Sequence, residues 1–157
     1  MARQHLHFEQ FYAAPREQVF GWFSNHRKLA LSWNGRARLL KTGGDPAWPD
    51  GEGAIREIRV AWLRFRERIR THQPHWLIEY EILNSRLMRK HQARIELASV
   101  PGGTQLSYQI EFESALPLLG SVICGVLSAA WRRGLRRSVE DIVRQRVSSR
   151  PPQRANG

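Results

Sequence analysis

A chain of 157 residues that is 41% hydrophobic has the length of one domain, enough to bury roughly two-thirds of its unfolded surface. A single cysteine, Cys124, excludes an internal disulfide and makes a reducing cytoplasm the expected setting. The formal charge of +11 invites a nucleic-acid reading, but only three of the 25 basic residues are lysine and the arginines are scattered through nearly every segment. No zinc-finger spacing, basic zipper or aromatic RNA-binding signature is present, so no specific nucleic acid is expected. An anionic membrane surface is the partner that such a charge favours, and a location peripheral to a membrane is compatible with it. No basic, then apolar, then small-residue leader opens the sequence, so a secretory signal is not expected.

Residues 4–13 alternate Leu6, Phe8 and Tyr12 with His5, His7 and Glu9, which predicts a first strand. Ala14-Pro15 breaks it, and Pro15 suits the first turn of a short apolar helix from Arg16 to Ser24. Asn25 can end that helix or cap the next, from about His26 to Leu31. A second strand is predicted at Arg36–Thr42, followed by a loop from Gly43 to Gly53 rich in glycine and proline. Further strands are expected at Ala54–Val60, Leu63–Thr71, Trp76–Leu83, Arg89–Ala98 and Thr104–Glu113. The boundary at Ala61-Trp62 contains no turn residue and rests on strand length alone.

After Pro117 the period changes from two to three and four. Leu119, Val122/Ile123, Val126/Leu127, Ala130/Trp131, Leu135, Val139 and Ile142/Val143 mark a helix over 117–147, of roughly eight turns. Residues 115–131 are apolar enough to approach a membrane span, but Pro117, Gly120 and Gly125 weaken that reading and the stripe runs on beyond it. Arg136–Glu140, Arg137–Asp141 and Glu140–Arg144 are spaced as i,i+4 ion pairs on a solvated face. The expected domain covers 1–147, with residues 148–157 a disordered tail lacking apolar anchors.

The order of elements, with several short motifs, resembles the SRPBCC superfamily, which includes START lipid-transfer domains, pollen-allergen-like plant proteins and the polyketide cyclase/dehydrase group. The matching stretches are Phe11 to Phe20, Gly51 to Arg56, Arg66 to Ile69, Glu79-Tyr80, the Gly102-Gly103-Thr104 strand and Leu116 to Gly120. Each is degenerate alone; together, in order, they cover residues 5 to about 146. The resemblance implies an α+β helix-grip fold, in which a curved antiparallel sheet of about seven strands holds the last helix over a pocket. Members share no universal catalytic set. The Gly43–Gly53 loop does not have phosphate-cradling spacing; in the pollen-allergen-like relatives a glycine-rich loop lies near the pocket entrance, and by position Trp48 would serve here as a mobile lid.

Strand parity indicates which side chains look inward: Leu106, Tyr108, Ile110 and Phe112; Ile95 and Leu97; Trp76, Ile78, Tyr80 and Ile82; Phe65, Glu67 and Ile69; and Arg56, Ile58 and Val60. One carboxylate and one guanidinium thus fall on apolar faces beside two tyrosines. Glu67 and Arg56 can form a structural pair, can orient a ligand's polar head, or Glu67 can act as a general base with Tyr80 or Tyr108. His5 and His7, and His72 and His75, are the nearest approach to metal spacing, but no third ligand can be placed and neither metal nor cofactor is expected. Cys124 lies in the most apolar helical stretch, where a thiol is inert.

Three functional readings follow. The leading one is binding or transport of a small hydrophobic molecule, such as a lipid, quinone or polyketide-like aromatic, in a cavity beneath the helix. Its expected lining is Trp22, Arg56, Phe65, Glu67, Ile78, Tyr80, Ile95, Tyr108, Ile110, Val122, Val126 and Trp131, with space left by the small residues Ser121, Gly125 and Ser128. The second is an enzyme of cyclase or dehydratase type using Glu67, Tyr80 and Tyr108. The third is a peripheral membrane or protein-interaction module. Oligomeric state is not legible.

Overall fold

The computed structural model describes residues 2–114 and 116–148. Strand β1 (Ala2–Tyr12) leads into helices α1 (Arg16–Ser24) and α2 (His26–Ser32). Strands β2 (Arg36–Lys41), β3 (Ile55–Val60), β4 (Leu63–Gln73), β5 (Leu77–Leu83), β6 (Arg89–Val100) and β7 (Gly103–Ser114) follow, and helix α3 (Pro117–Ser148) closes the order. All seven strands form one curved antiparallel sheet in the order β1-β7-β6-β5-β4-β3-β2. Each strand lies beside its chain neighbour except β1, which crosses the domain to pair with β7. This is the helix-grip arrangement. Of the tail expected over 148–157, Ser148 is the last residue of α3 and the rest lies outside the described residues.

Local chemistry accounts for the element ends. Asn25 Oδ1 accepts a hydrogen bond from the Lys28 amide at 3.1 Å, capping α2 directly after α1. The β3–β4 connection is only Ala61-Trp62, and Ala61 takes a left-handed φ of 50°, so strand pairing has overridden the missing turn residue. In β7 burial alternates without a break from Thr104 to Ser114, and its inner face meets α3 and α1.

Two β-bulges alter the expected parity. One between Ile69 and Thr71 turns His72 to the inner side, opposite Ile78. The other lies between Arg89 and Gln92, where β6 meets β7 and Lys90 has φ 49°. Trp76, expected to face inward, is instead exposed, because β5 begins at Leu77 and Trp76 belongs to the preceding turn.

Helix α3 buries Ile123, Leu127, Trp131, Leu135 and Ile142 against the sheet. Deep in this contact the Tyr12 hydroxyl donates to Ser138 Oγ at 2.7 Å, and Ser138 donates to the Leu135 carbonyl. The stripe lies one residue away from part of its expected phase. Val122 is exposed and Val126 only half-buried, while Ile123 and Leu127 carry the contact. The strip of small side chains is displaced with them: Ser121 and Gly125 are exposed, and a Cβ on Gly125 would meet nothing within 4 Å. The expected i,i+4 ion pairs do not form among the described residues; Arg137 reaches across to the Leu31 carbonyl and Asn34 Oδ1 instead.

Close packing of α3 depends on Gly134. A Cβ there would stand 2.6 Å from Trp33 Cδ1 and 2.8 Å from Ser32 Oγ. Gly134→Ala should therefore cost about 1–3 kcal/mol through overpacking, despite the better helix propensity of alanine. Gly125→Ala should instead gain about 0.5–1 kcal/mol, since only propensity changes. Denaturant unfolding of the two variants tests the orientation of α3: opposite signs are expected, and equal effects would show the helix phase to be wrong.

Candidate functional site

The inner face of β3 and β4 carries a buried pair of opposite charges, as strand parity predicts. Arg56 and Glu67 are directly opposite in the β3–β4 register and form an ion pair through Nη2 and Oε1. Both are almost wholly buried, at 2% and 3% exposure. The same alternation sends Arg64, Arg66, Arg68 and Arg70 to solvent. Burial raises the Glu67 carboxyl above the ordinary range, and the charge and hydrogen bond of Arg56 oppose that rise without cancelling it. Nε of Arg56 is buried with no hydrogen-bond partner among the described residues.

On β5 and β7 the Tyr80 and Tyr108 hydroxyls hydrogen-bond each other. Burial raises both above the ordinary tyrosine value, and the charge of Glu67 adds to the effect. Both phenols therefore remain protonated donors. His91, on β6 with its ring centroid 5.8 Å from that of Tyr80, is pushed down to about 4 by burial. It is neutral near pH 7, and its Nδ1 is buried without a partner among the described residues.

Trp131 of α3 covers this polar group. Its ring centroid is 4.0 Å from Tyr108 and 4.6 Å from Trp33, with Phe8 at 6.4 Å. Between sheet and helix remains a cavity of about 20 Å³, lined by Phe65, Glu67, Tyr80, Tyr108, Ile110 and Trp131 together with Trp33, Val60, Ile82, His91, Leu127 and Ala130. That is room for about one water molecule.

Among the expected lining residues, the structure brings Phe65, Glu67, Tyr80, Tyr108, Ile110 and Trp131 to the cavity. Arg56 stands behind Glu67 as its partner. Trp22, Ile78 and Ile95 are buried elsewhere in the core, and Trp22 packs edge-on against Phe23. Val122 and Val126 do not line it, for the helix-phase reason given above. Trp33, Val60, Ile82, His91, Leu127 and Ala130 line it without belonging to the expected lining, although Val60 and Ile82 have inward parity. Leu127 and Ala130 are the other halves of doublets in the stripe, and His91 shares the parity of Ala93 and Ile95.

The β2–β3 loop does not lie over this cavity. Trp48 is half-buried among Phe20, His72 and His75, with ring centroids 5.6, 5.0 and 6.3 Å away, and His26 pairs with Asp50. Trp48 is thus a wedge against α1, not a lid on the cavity. His5 and His7 are exposed on β1. Burial raises the Cys124 thiol, which donates to Gln4 Oε1 at 3.4 Å. A larger dish of about 430 Å³ on the outer sheet face includes Arg70, Glu79, Arg94 and Glu111, but these charges are matched in pairs with Glu81, Arg94, Glu79 and Arg3.

The burial of His91 generates a pH-dependence. Unfolded, the imidazole takes a proton near 6.5; folded, only near 4. The associated stability is fully present above 6.5 and is lost as the pH falls towards 4, by about 3 kcal/mol in all. Between pH 7 and 4.5 the stability of His91→Gln should fall by about 2–3 kcal/mol less than that of the wild type. Parallel losses in denaturant unfolding would mean that His91 is solvated.

Comparison with known proteins agrees with this architecture. The Zhui aromatase/cyclase from Streptomyces sp. R1128 superposes with a TM-score of 0.76 at 13% identity, covering 92% of this chain and 96% of that one. The di-domain ARO/CYC StfQ of the steffimycin biosynthetic pathway gives 0.73 at 16% identity, covering 93% of this chain and 52% of that one. Ara h 8.0201 gives 0.63 at 10% identity, covering 88% and 99%. At these identities the likeness is one of fold. No curated protein sequence matches. Residues 3–145 match the family described as polyketide cyclase / dehydrase and lipid transport, and the chain belongs to that family.

Proposed function

We propose that the chain binds a small, mostly apolar molecule bearing one or two oxygen atoms, in the cavity between the sheet and α3. The observation that carries this reading is the segregation of the lining. Apolar and aromatic side chains form most of the wall, while Glu67, Tyr80, Tyr108 and His91 group together on the sheet. A purely structural core gains nothing from four polar groups beside an aromatic cluster, because each must be desolvated. An apolar body held by the aromatic wall, with a carbonyl or hydroxyl turned to the phenols, makes use of both halves. The family description, which joins cyclase/dehydrase activity with lipid transport, supports the same class of ligand.

A molecule of that kind needs several hundred Å³, far more than the roughly 20 Å³ of this cavity. Uptake therefore requires Trp131 and its neighbours on α3 to move away from Tyr108. The second reading, cyclase- or dehydratase-type chemistry in the same cavity, is favoured by the raised pKa of Glu67 beside two protonated phenols. Those are an acid–base group and proton donors within one apolar chamber. The overall likeness to Zhui, named an aromatase/cyclase, points the same way.

Titration with a fluorescent apolar probe separates these readings from a packed core. Ala130→Phe should abolish binding by filling the mouth. Tyr108→Phe should weaken an oxygen-bearing probe about five- to tenfold, the value of one hydrogen bond. Unchanged binding in Ala130→Phe would exclude this cavity as the site. Glu67→Gln that keeps probe affinity and fold, yet loses turnover of a polyketide-like substrate, would decide for the enzyme.

A further inference from the structure

The first half of α3 has a second face that neither the core nor the cavity uses. From residue 115 to Trp131 the sequence contains no charged residue. Its buried side, through Gly120, Ile123, Leu127 and Trp131, meets the sheet. On the opposite side Leu118 is 85% exposed and Val122 54%, and Gly125 and Ala129 continue the same exposed row. Positions 118, 122, 125 and 129 recur at four- and three-residue spacing, so they form one continuous apolar strip about 17 Å long. The row then changes character abruptly. Its next members, Arg132, Arg133 and Arg136, are exposed and make no ion pair among the described residues.

That row contrasts with the middle of the outer sheet face, where several arginines share their charge with glutamates. On the outer sheet face Arg59 and Arg64 hold Glu57, Arg68 and Arg70 hold Glu81, and Arg94 holds Glu79 and Glu96. The acidic residues that follow on α3, Glu140 and Asp141, lie in a shared groove with Lys28, Arg137 and Arg144, so local positive charge exceeds negative. An exposed apolar strip followed by unmatched guanidiniums is the pattern of a helix that lies in a membrane interface, apolar side down, with arginines on the headgroups. Crossing the bilayer is not an option for it: no helix of the described residues is long and apolar enough, and the opposite face of α3 is committed to the sheet.

We infer that the outer face of α3, from Leu118 to Arg136, docks on an anionic lipid surface. A second copy of the chain is a poorer occupant, since two molecules of charge +11 would have to bring their arginine rows together. The inference stands apart from the cavity reading, because the residues are on opposite sides of the helix.

Flotation of the full chain with phosphatidylcholine vesicles, with and without about one-third phosphatidylglycerol, tests it. Binding is expected only with the anionic lipid, and should weaken steeply with added salt. Leu118→Asp with Val122→Asp should abolish binding without lowering the unfolding temperature, because both side chains are exposed. Reversing Arg132 and Arg136 to Glu should each lower partitioning by about fivefold or more. Ala130→Phe, which blocks the cavity, should still bind vesicles, so failure of one proposal is distinguishable from failure of the other. No binding to anionic vesicles would overturn the inference. So would sedimentation showing a dimer that the Leu118/Val122 variant loses, which would assign the face to a second copy.

Discussion

The site is organised by one costly interaction, the ion pair of Arg56 and Glu67 inside an apolar core. Taking two charges out of water costs several kcal/mol per ion, and mutual attraction returns that only if the partners stay in contact. Removing either partner alone would leave an uncompensated charge, which typically destabilises by about 3–5 kcal/mol. The pair therefore pins the β3–β4 register: a slip of one residue would send Glu67 to solvent and drive Arg66 or Arg68 into the core. Every inward side chain of β5, and the Tyr80–Tyr108 contact beyond, takes its position from that register.

The second constraint is the aromatic cover. Trp131 contacts Tyr108 and Trp33, and Trp33 is held in turn by the absence of a side chain at Gly134. Helix, α2 and sheet are thereby joined at a single aromatic junction. Close packing there keeps water from the polar group and leaves Glu67, Tyr80 and Tyr108 with shifted pKa values that a wet site would not sustain. The same packing leaves the cavity at about 20 Å³, so the proposed ligand could enter only if these contacts parted. On the proposed reading an opening would fall where contacts are weakest, which on α3 means the half-buried row at Val126 and Ala130 rather than the turn at Gly120, whose Cβ position is already occupied by Ser114 and Gln4.

Strand parity carried much of the inner face before any coordinates, because a two-residue period has only two phases and Phe65, Ile69, Tyr108 and Ile110 choose one. Arg56 and Glu67 could be placed opposite each other on the same grounds. Parity failed where the chain departs from period two: the bulge after Ile69 brings His72 inward, and the turn before Leu77 puts Trp76 outside. On α3 the doublets Val122/Ile123 and Val126/Leu127 offer two apolar choices per turn, and nothing in hydropathy says which faces the sheet. The selecting facts are tertiary: the cradle of Gly120 against Gln4 and Ser114, and that of Gly134 against Trp33. Small residues were legible as a strip, but the strip divides between tight contact at Gly120 and Gly134 and open solvent at Gly125, which composition cannot separate.

The arrangement of charge follows from the same geometry. Antiparallel strands set side chains of neighbouring strands about 5 Å apart, so on the outer sheet face Arg64, Arg68, Arg70 and Arg94 reach glutamates across the strand and part of their field is cancelled. A helix offers its partners only three or four residues away, and around Arg132, Arg133 and Arg136 those positions hold Ser128, Ala129, Ala130, Leu135, Val139, other arginines and a single acid, Glu140. The pairing that geometry allows at Arg136 and Glu140 is not made. Helix α3 carries six arginines against Glu140 and Asp141, and Arg132, Arg133 and Arg136 stand next to the exposed apolar strip of Leu118 and Val122. A flat anionic surface satisfies both features at once, whereas a nucleic-acid groove would meet the arginines and leave Leu118 and Val122 in water.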